Sequence, residues 1–537
     1  MAERFRRAVQ VLRYLVVGVP ATLLCAQAAA SLRWRMEHDT PLLHYVAFLM
    51  DEHGRFPYRD VFETSMPGTF AFHYAVVKLF GYGDTAFRLV DLALLTALLA
   101  ATYAFMRRFG RAPAAAAAVS YGLLYLSKGQ TMTLQRDYLG LLPIALALCC
   151  LPRDAARPPA RARFAAVGAL FGLAFLLKPH LALGLPALAA ALAALRRESR
   201  GRDLRDLLAC VAAAALGFLA PLLAAALWLA LNGALSDFLS IFFRYLPLHV
   251  ALTGAQEEFH GFERFFYLFE QTLRFGGYGP LLLGALFAAY HFAAPAARPR
   301  ATSVAYAALA ACAVLYLVYP TLAGKFWDYH FMPTAYFLTL AAALALSAPP
   351  RETQGDAEPA GPRRALHLRA LLALVIFAAA VCLQLNLPRY CLELAERMGT
   401  GYTPPAPKAG RVDAIAHELR SRLGPADTVQ PLDWAHGAIH AMLVARAPLA
   451  TEFLYDYHFY HHTSSPVVER LRRDFLAQLR RSAPRFIVET HGDKPWLRAP
   501  AAPGGFPELQ QLLDADYRVV AEGNGFRLHE RRAAPSP

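Results

Sequence analysis

An acidic stretch of sequence follows the first long apolar segment of the chain. The motif "EHDT" covers Glu37 to Thr40, and the segment "DEHGRFPYRDVFETSMPG" covers Asp51 to Gly68. A carboxylate within hydrogen-bond reach of a hydroxyl group can accept its proton and make it a better nucleophile. The stretch therefore predicts acid–base chemistry. The candidate catalytic residues are Glu37, Asp39, Asp60 and Glu63.

Cations and histidines stand directly against apolar sequence further along the chain. Lys178 lies in "LAFLLKPHLALG" and Lys325 in "YPTLAGKFWDYHFMP". Lysine and arginine can neutralise charge that develops on a phosphate leaving group. The candidate phosphate-binding residues are Arg88, Arg136, Lys178 and Lys325, and the other candidate cavity residues are His38, Tyr58, Arg59, Asp137, His180, Asp328 and His330. For any single lysine, snorkelling toward lipid headgroups is the simpler alternative.

The composition indicates that a membrane surrounds these residues. Of 537 residues, 56% are hydrophobic and 18% charged, and the mean hydropathy is +0.31. Windows of roughly 17 to 25 apolar residues recur through the first three quarters of the chain, and we count about eleven of them. Their centres lie near Val17, Leu95, Gly122, Leu142, Gly172, Leu188, Leu219, Leu283, Leu309, Leu340 and Ile376. We expect helices, because a backbone that faces lipid must satisfy its own hydrogen bonds.

Arginine clusters account for the formal net charge of +14. They precede the first apolar window and follow each even-numbered one, as in the group between Arg196 and Arg205. Because basic residues accumulate in cytoplasmic loops, this alternation predicts a multi-pass inner (plasma) membrane protein with a cytoplasmic N-terminus. It also explains the charge without a nucleic-acid partner. A cleavable signal at the N-terminus is an alternative, and it would leave Asp39 on the same outer face.

The composition becomes that of a water-soluble domain after about Leu387. The segments "RVDAIAHELRSRL" and "PVVERLRRDFLAQLRR" have the period of amphipathic helices, and "DTVQPLDW" and "PRFIVET" read as strands. A hairpin is expected around Asn524-Gly525. We therefore expect an α-helical polytopic membrane domain at 1–387, with its first outer loop at about 31–83, and a small extracytoplasmic α/β domain at 388–537.

Metal binding is weakly signalled by the sequence. The seven cysteines show no zinc or disulfide spacing. In "DYHFYHHTSSP", His458, His461 and His462 stand close together but lack a second ligand group at a recognisable spacing, so a surface or ligand-recognition loop is favoured. No ligand set for a metal ion is assigned.

Carboxylates and cations gathered at the outer membrane surface suit the transfer of a sugar from a lipid phosphate. A multispanning transporter or lipid flippase with a periplasmic domain is the main alternative, and a noncatalytic scaffold with a sensing domain is another. Transporters hold ionisable residues near the bilayer midplane, whereas these charges fall at one surface. The pattern therefore favours the transferase.

The order of the motifs resembles the multispanning GT-C glycosyltransferases. "EHDT", "GRFPYRD", the Met66-Pro67-Gly68 turn and "LFGYGDTAFRLVD" follow one another, and "LLKPH" and "KFWDYHFMP" are further landmarks within residues 10–350. The chain is similar to the branch of the protein O-mannosyltransferases and the lipid A aminoarabinose transferase. The resemblance implies hexosyl or pentosyl transfer on the outer face, from a polyprenyl-phosphate-linked donor to a lipid, glycan or protein acceptor.

The resemblance also implies a role for Asp39, which matches the family's acidic residue after the first span and would activate the acceptor. Two departures stand out. Met66-Pro67-Gly68 replaces the "Pro-Pro" element of relatives, and His38 separates Glu37 from Asp39 where relatives have adjacent acids. These departures leave the identity of a second carboxylate, and the participation of a divalent metal ion, open.

The charge pattern makes a testable prediction of topology. An alkaline phosphatase reporter fused at the C-terminus should be active, because the arginine clusters place that end outside the cytoplasm. The same reporter inserted after Arg202, in an arginine-rich loop, should be inactive. Phosphatase activity in cells that produce each fusion is the measurement, and an inactive C-terminal fusion would overturn the assignment.

Overall fold

The computed structural model describes residues 2–154, 158–200, 203–293, 298–347, 360–400, 407–491, 494 and 505–533. The chain divides into two compact units. Unit 1 contains Met1–Arg33, Asp91–Ala224 and Phe262–Tyr402, and unit 2 contains Trp34–Val90, Ala225–Gly261 and Thr403–Pro537. The domain boundary at residue 387 stays a prediction. The segment "PPRETQGDAEPAGPRR", Pro349 to Arg364, is rich in proline, glycine and charge and is predicted to be a flexible cytoplasmic linker, but most of it lies outside the described residues.

Helices make up most of the described chain, as the sequence predicts. In chain order they are α1 (Ala2–Ala30), α2 (Thr40–His53), α3 (Pro67–Phe80), α4 (Asp84–Met106), α5 (Arg111–Ser127), α6 (Arg136–Leu139), α7 (Leu141–Cys149), α8 (Arg161–Leu177), α9 (Leu185–Arg200), α10 (Leu204–Leu231), α11 (Leu235–Ser240), α12 (Leu246–Ala251), α13 (Gly261–Leu273), α14 (Gly279–Ala293), α15 (Arg300–Leu317), α16 (Tyr319–Ala323), α17 (Met332–Ala343), α18 (Ala360–Leu385), α19 (Leu387–Thr400), α20 (Pro407–Arg422), α21 (Ala438–Ala445), α22 (Pro466–Ser482) and α23 (Pro507–Asp516). A π-helical turn, Ile241–Tyr245, joins α11 to α12.

Six helices in the described residues are long and apolar enough to cross a membrane, or seven if the bent pair Leu371–Leu385 and Arg389–Glu396 is one span. The six are Leu15–Arg33, Asp84–Phe109, Pro179–Arg197, Leu204–Leu231, Arg300–Ala323 and Asp328–Leu346. The expected count of about eleven is not confirmed. Four of the predicted windows, centred at Gly122, Leu142, Gly172 and Leu283, fold as shorter helices of 9 to 17 residues.

Unit 1 is built around α17, which packs against α5, α14 and α15. The span that contains α17 is 94% buried, whereas the span formed by α10 is only 11% buried and has its apolar side chains available to lipid. Glycines bring α8 and α10 together closely: a Cβ atom on Gly168 would lie 2.0 Å from the Ala214 carbonyl oxygen. Small residues of this kind let membrane helices pack backbone to backbone.

Unit 2 contains a four-stranded sheet of order β1-β2-β4-β3. Its strands are β1 (Val429–Leu432), β2 (Phe486–Thr490), β3 (Tyr517–Gly523) and β4 (Phe526–Arg531). β1 and β2 run parallel, and the other pairs are antiparallel. Asn524 and Gly525 have φ of 46° and 75°, the left-handed conformation that a tight hairpin needs. The predicted hairpin, and the predicted helices α20 and α22, are confirmed.

The acidic stretch flanks α2 and ends at the start of α3, and these two 14-residue helices of unit 2 pack against each other. Met66-Pro67-Gly68 does not form a separate turn, because Pro67 is the first residue of α3. Proline is well tolerated there, since the N–H at this position of a helix has no hydrogen-bond partner within the helix. Helix α2 also packs against α21, and the Tyr45 hydroxyl donates to the Ala447 carbonyl at 2.6 Å. The segments on either side of α2 and α3 are thereby held against the C-terminal part of unit 2.

Candidate functional site

Glu63 is buried in unit 2, with 2% of its surface exposed. One carboxylate oxygen accepts hydrogen bonds from the Thr64 backbone N–H at 2.7 Å and from the Tyr455 hydroxyl at 2.9 Å. The backbone beside it is fixed as well, because the Phe62 N–H donates to the Glu452 carbonyl at 2.8 Å. Segment 452–455 therefore lies along the acidic stretch and supplies Glu63 with a donor from the far end of the chain.

The charges of Glu63 and Asp39 both influence the hydroxyl of Tyr455. Burial, followed by the charge of Glu63 and more weakly that of Asp39, raises the pKa of Tyr455 well above its usual value. The hydroxyl consequently keeps its proton and remains a donor. Of the two acidic residues at opposite ends of the stretch, Glu63 is hydrogen bonded to this hydroxyl, and Asp39 acts on it only through its charge.

Asp39 stands immediately before α2 and is 8% exposed. The Nδ1 atom of His38 lies 3.0 Å from an Asp39 carboxylate oxygen. His38 has φ of 59°, and its ring lies 6.5 Å from that of Trp434. Nearby, the carbonyl of Glu37 accepts a hydrogen bond from the Thr40 hydroxyl at 2.7 Å. The left-handed backbone conformation of His38 thus turns the chain, so that Asp39 lies at the start of α2 with its carboxylate next to the imidazole of His38.

Asp60 faces its own loop. It accepts hydrogen bonds from the Phe56 N–H and from the Arg59 guanidinium, both at 2.7 Å. Burial opposes ionisation, but Arg59 and the Phe56 N–H outweigh it and hold the pKa of Asp60 below its usual value. Arg59 also donates to the Asn232 carbonyl, and the Tyr58 hydroxyl donates to the Ser65 carbonyl at 2.6 Å. These contacts favour a bracing role for Asp60, Arg59 and Tyr58.

The histidine-rich segment of unit 2 packs inward. His458 is 2% exposed, its Nδ1 is hydrogen bonded to the Tyr245 hydroxyl, and its ring lies 4.8 Å from that of Phe62. His462 contacts Glu258 at 3.1 Å. His458 is therefore not on the surface, and the other expectation, a ligand-recognition loop, stays a prediction. Among the described residues, no group of three His, Cys, Asp or Glu side chains is arranged to hold a metal ion.

Lys178 and Asp137 form an ion pair in unit 1. The two carboxylate oxygens of Asp137 lie 2.9 and 3.0 Å from Lys178 Nζ, and Asp137 also accepts from the Tyr319 hydroxyl at 2.5 Å. Asp137 is fully buried. Much of the Lys178 charge is thus already balanced inside the protein.

Arg136, Lys178 and Lys325 form a cation cluster in unit 1. The charges of all three, and His180, act on the buried imidazole of His330. Lys325 is 5% exposed, and its Nζ lies 5.4 Å from the centre of the Trp327 ring. Burial, with a further contribution from Arg264, lowers the pKa of Lys325 to about 7. The cluster therefore concentrates positive charge in a poorly solvated place.

Two other predicted residues have different surroundings. Asp328 is largely exposed and lies 3.7 Å from Lys128 Nζ. Arg88 belongs to unit 2, where it is almost fully buried with its guanidinium 4.7 Å above the Trp34 ring. Sequence analysis missed Tyr455, Trp434 and Tyr245, since no local pattern distinguishes them from other aromatic residues.

The Lys178–Asp137 pair yields a prediction on stability. Lys178→Met should lower the free energy of unfolding by about 3 kcal/mol, because it leaves a buried carboxylate without its cation. Lys128→Met, which breaks a more exposed pair, is the matched control and should change stability by less than about 1 kcal/mol. Denaturant unfolding of the purified protein in detergent measures both variants, and equal losses would contradict the prediction.

Comparisons with known proteins agree with the fold. Residues 65–228 match the family model described as dolichyl-phosphate-mannose-protein mannosyltransferase. Crystal structures of ArnT from Cupriavidus metallidurans, bound to undecaprenyl phosphate and in the apo state, align over 100% of this chain and 99% of theirs. Their sequence identities are 16% and 17%, and their TM-scores are 0.54 and 0.50.

A further solved structure, the Archaeoglobus fulgidus oligosaccharyltransferase in complex with Zn and sulfate, covers 88% of this chain and 68% of that chain, at 14% identity and a TM-score of 0.42. No curated protein matches the sequence. The chain is a multispanning membrane protein with the fold of the GT-C glycosyltransferases, and it resembles ArnT and the protein mannosyltransferases.

Proposed function

We propose that the protein is a membrane glycosyltransferase that moves a sugar from a polyprenyl-phosphate-linked donor to a lipid, glycan or protein acceptor on the outer face of the membrane. The observation that carries the proposal is the pair of buried carboxylates, Asp39 and Glu63, in the acidic stretch of unit 2. The ArnT structure bound to undecaprenyl phosphate supports the choice of donor. The transporter alternative gains no support from the matched family or the similar structures.

Asp39 is assigned as the general base. It takes the proton of the acceptor nucleophile, which attacks the anomeric carbon of the donor sugar while the bond from that carbon to the phosphate oxygen breaks. His38, 3.0 Å away, orients the carboxylate. Glu63 is held by the Thr64 N–H and by Tyr455, and these donors stabilise its negative charge at a fixed position in the same loop.

The cation cluster is assigned to the phosphate of the donor. Charge develops on the leaving phosphate as the sugar departs, and buried cations stabilise that charge more strongly than cations in water. Lys178 already balances Asp137, so Arg136 and Lys325 carry most of this role. Asp137 holds Lys178 in place, and Arg88, packed on Trp34, braces the start of α4.

The prediction for Asp39 tests the function directly. Asp39→Asn keeps the shape of the side chain but cannot accept the proton, so turnover should fall by about 10² to 10⁴-fold while donor binding survives. Mass spectrometry of surface glycans and lipids should show the same missing sugar in cells without the protein and in cells with this variant.

The internal comparison is Glu63→Gln. If this variant is the more damaging one while Asp39→Asn retains near-normal transfer, the base is Glu63 and the assignment is wrong. If surface glycans and lipids are identical with and without the protein, the proposed function is wrong.

The prediction for Lys325 concerns pH. Because its pKa is about 7 in the free protein, Lys325 is charged below that value, and a bound phosphate would raise the pKa further. Donor affinity should therefore be greatest below about pH 7 and fall by roughly tenfold by about pH 9. The donor's phosphodiester does not titrate in this range.

Lys325→Arg supplies the control, because arginine stays charged throughout this range. Affinity for the polyprenyl-phosphate donor, measured with the purified protein across the pH range, should become flat in this variant. An unchanged pH slope would remove Lys325 from the donor site.

A further inference from the structure

A cleft of about 160 Å³ opens in unit 2 between the π-helical turn and the start of α22. Apolar side chains of Phe62, Ile241 and Leu471 line it, together with Tyr245. Two arginines, Arg244 and Arg470, complete the lining. The cleft, which we call the arginine cleft, therefore combines an apolar surface with two positive charges.

The two arginines are exposed, and no ion pair within the described residues includes either one. Two guanidinium groups beside one apolar cleft repel each other in the absence of an anion. Guanidinium is also the cation best suited to pair with phosphate or carboxylate through two parallel hydrogen bonds. The charge in the cleft is thus complementary to an anionic group.

The backbone at this cleft has an uncommon form. Ile241, Arg244 and Tyr245 all come from the five-residue π-helical turn, and such turns are rare and frequently found at functional sites. The turn is held in place by Tyr245, which is buried and whose hydroxyl is hydrogen bonded to His458. The backbone that carries Arg244 is therefore held in a fixed position.

The cleft adjoins the residue Glu63. Phe62, which lines it, is the residue before Glu63, and the rings of Phe62 and Tyr245 lie 5.1 Å apart. Glu63 is close enough to Tyr245 for its charge to act on that hydroxyl. A ligand in the cleft would lie beside the loop that carries Glu63.

We propose that the arginine cleft binds the acceptor of the transfer reaction, and that this acceptor is an anionic amphiphile. Its negative group pairs with Arg244 and Arg470, and its apolar part lies against Phe62, Ile241 and Leu471. The assignment as an acceptor rests on the proposed function. The binding of an anionic amphiphile to the cleft does not depend on the proposed function, and it is tested separately.

The test uses full-length protein in nanodiscs of uncharged lipid and three probes: lysophosphatidic acid, monoacylglycerol with the same acyl chain, and inorganic phosphate. The protein should bind the first more tightly than either of the others, because only that probe offers both charge and apolar surface. Changing Arg244→Gln and Arg470→Gln together should weaken its binding roughly three- to tenfold, since exposed ion pairs are individually modest.

Arg473→Gln is the matched control, because Arg473 is an exposed arginine of the same helix that does not line the cleft. Ser240→Phe narrows the cleft without changing charge, and it should weaken binding of lysophosphatidic acid while leaving the protein folded. Equal binding of the charged and neutral amphiphiles, or equal losses in the double variant and in Arg473→Gln, would overturn the proposal.

Two further outcomes separate the cleft from the proposed function. One outcome would assign the cleft to the donor. Polyprenyl phosphate would displace lysophosphatidic acid from the wild type, and the double variant would bind the donor more weakly while its affinity for the acceptor is unchanged. The acceptor assignment would then be wrong. If sugar transfer proceeds with an unchanged acceptor KM in the double variant, the cleft assignment fails and the transferase stands. If lysophosphatidic acid binds as expected but surface glycans and lipids are the same without the protein, the transferase fails and the cleft remains an anion-binding site.

Discussion

A carboxylate removed from water needs donors to remain charged, and Glu63 obtains one of them from a residue 392 positions further along the chain. This requirement ties the three segments of unit 2 together. Phe62 pairs with segment 452–453 through the backbone, Tyr455 reaches Glu63, and Tyr245 reaches His458 from the middle segment. The acidic stretch has its shape because these partners surround it, and its own helices could not supply them.

Unit 1 contains buried cations, which also need stabilisation away from water. Burial lowers the pKa of Lys325, and Asp137 with its Tyr319 hydrogen bond compensates Lys178. Such an arrangement keeps one cation neutralised within the protein and another close to losing its proton. At the proposed donor site, a phosphate would favour the charged form of Lys325, whose pKa burial lowers.

Local signals in the sequence were sufficient for part of this structure. Periodicity predicts α20 and α22, and Asn524-Gly525 predicts the hairpin. Contacts between residues distant in sequence have no such local signal, so sequence analysis missed Tyr455. The segment that contains His458, His461 and His462 is rich in polar and aromatic residues and suggested an exposed loop, but His458 is buried. The number of spans was uncertain because apolar windows do not reveal where a helix breaks: the window around Leu142 holds a helix of only 9 residues, bounded by Gly140 and Cys150.

The parallel pairing of Phe62 with Phe453 also has a consequence for biosynthesis. The ribosome makes the acidic stretch early, but its partner segment around Phe453 is synthesised only when more than four fifths of the chain is complete. Contacts of such long sequence separation form late, because the intervening chain must first be ordered. In nascent chains the acidic stretch therefore lacks this partner throughout most of synthesis, and Glu63 can accept its hydrogen bond from Tyr455 only after residue 455 has been made.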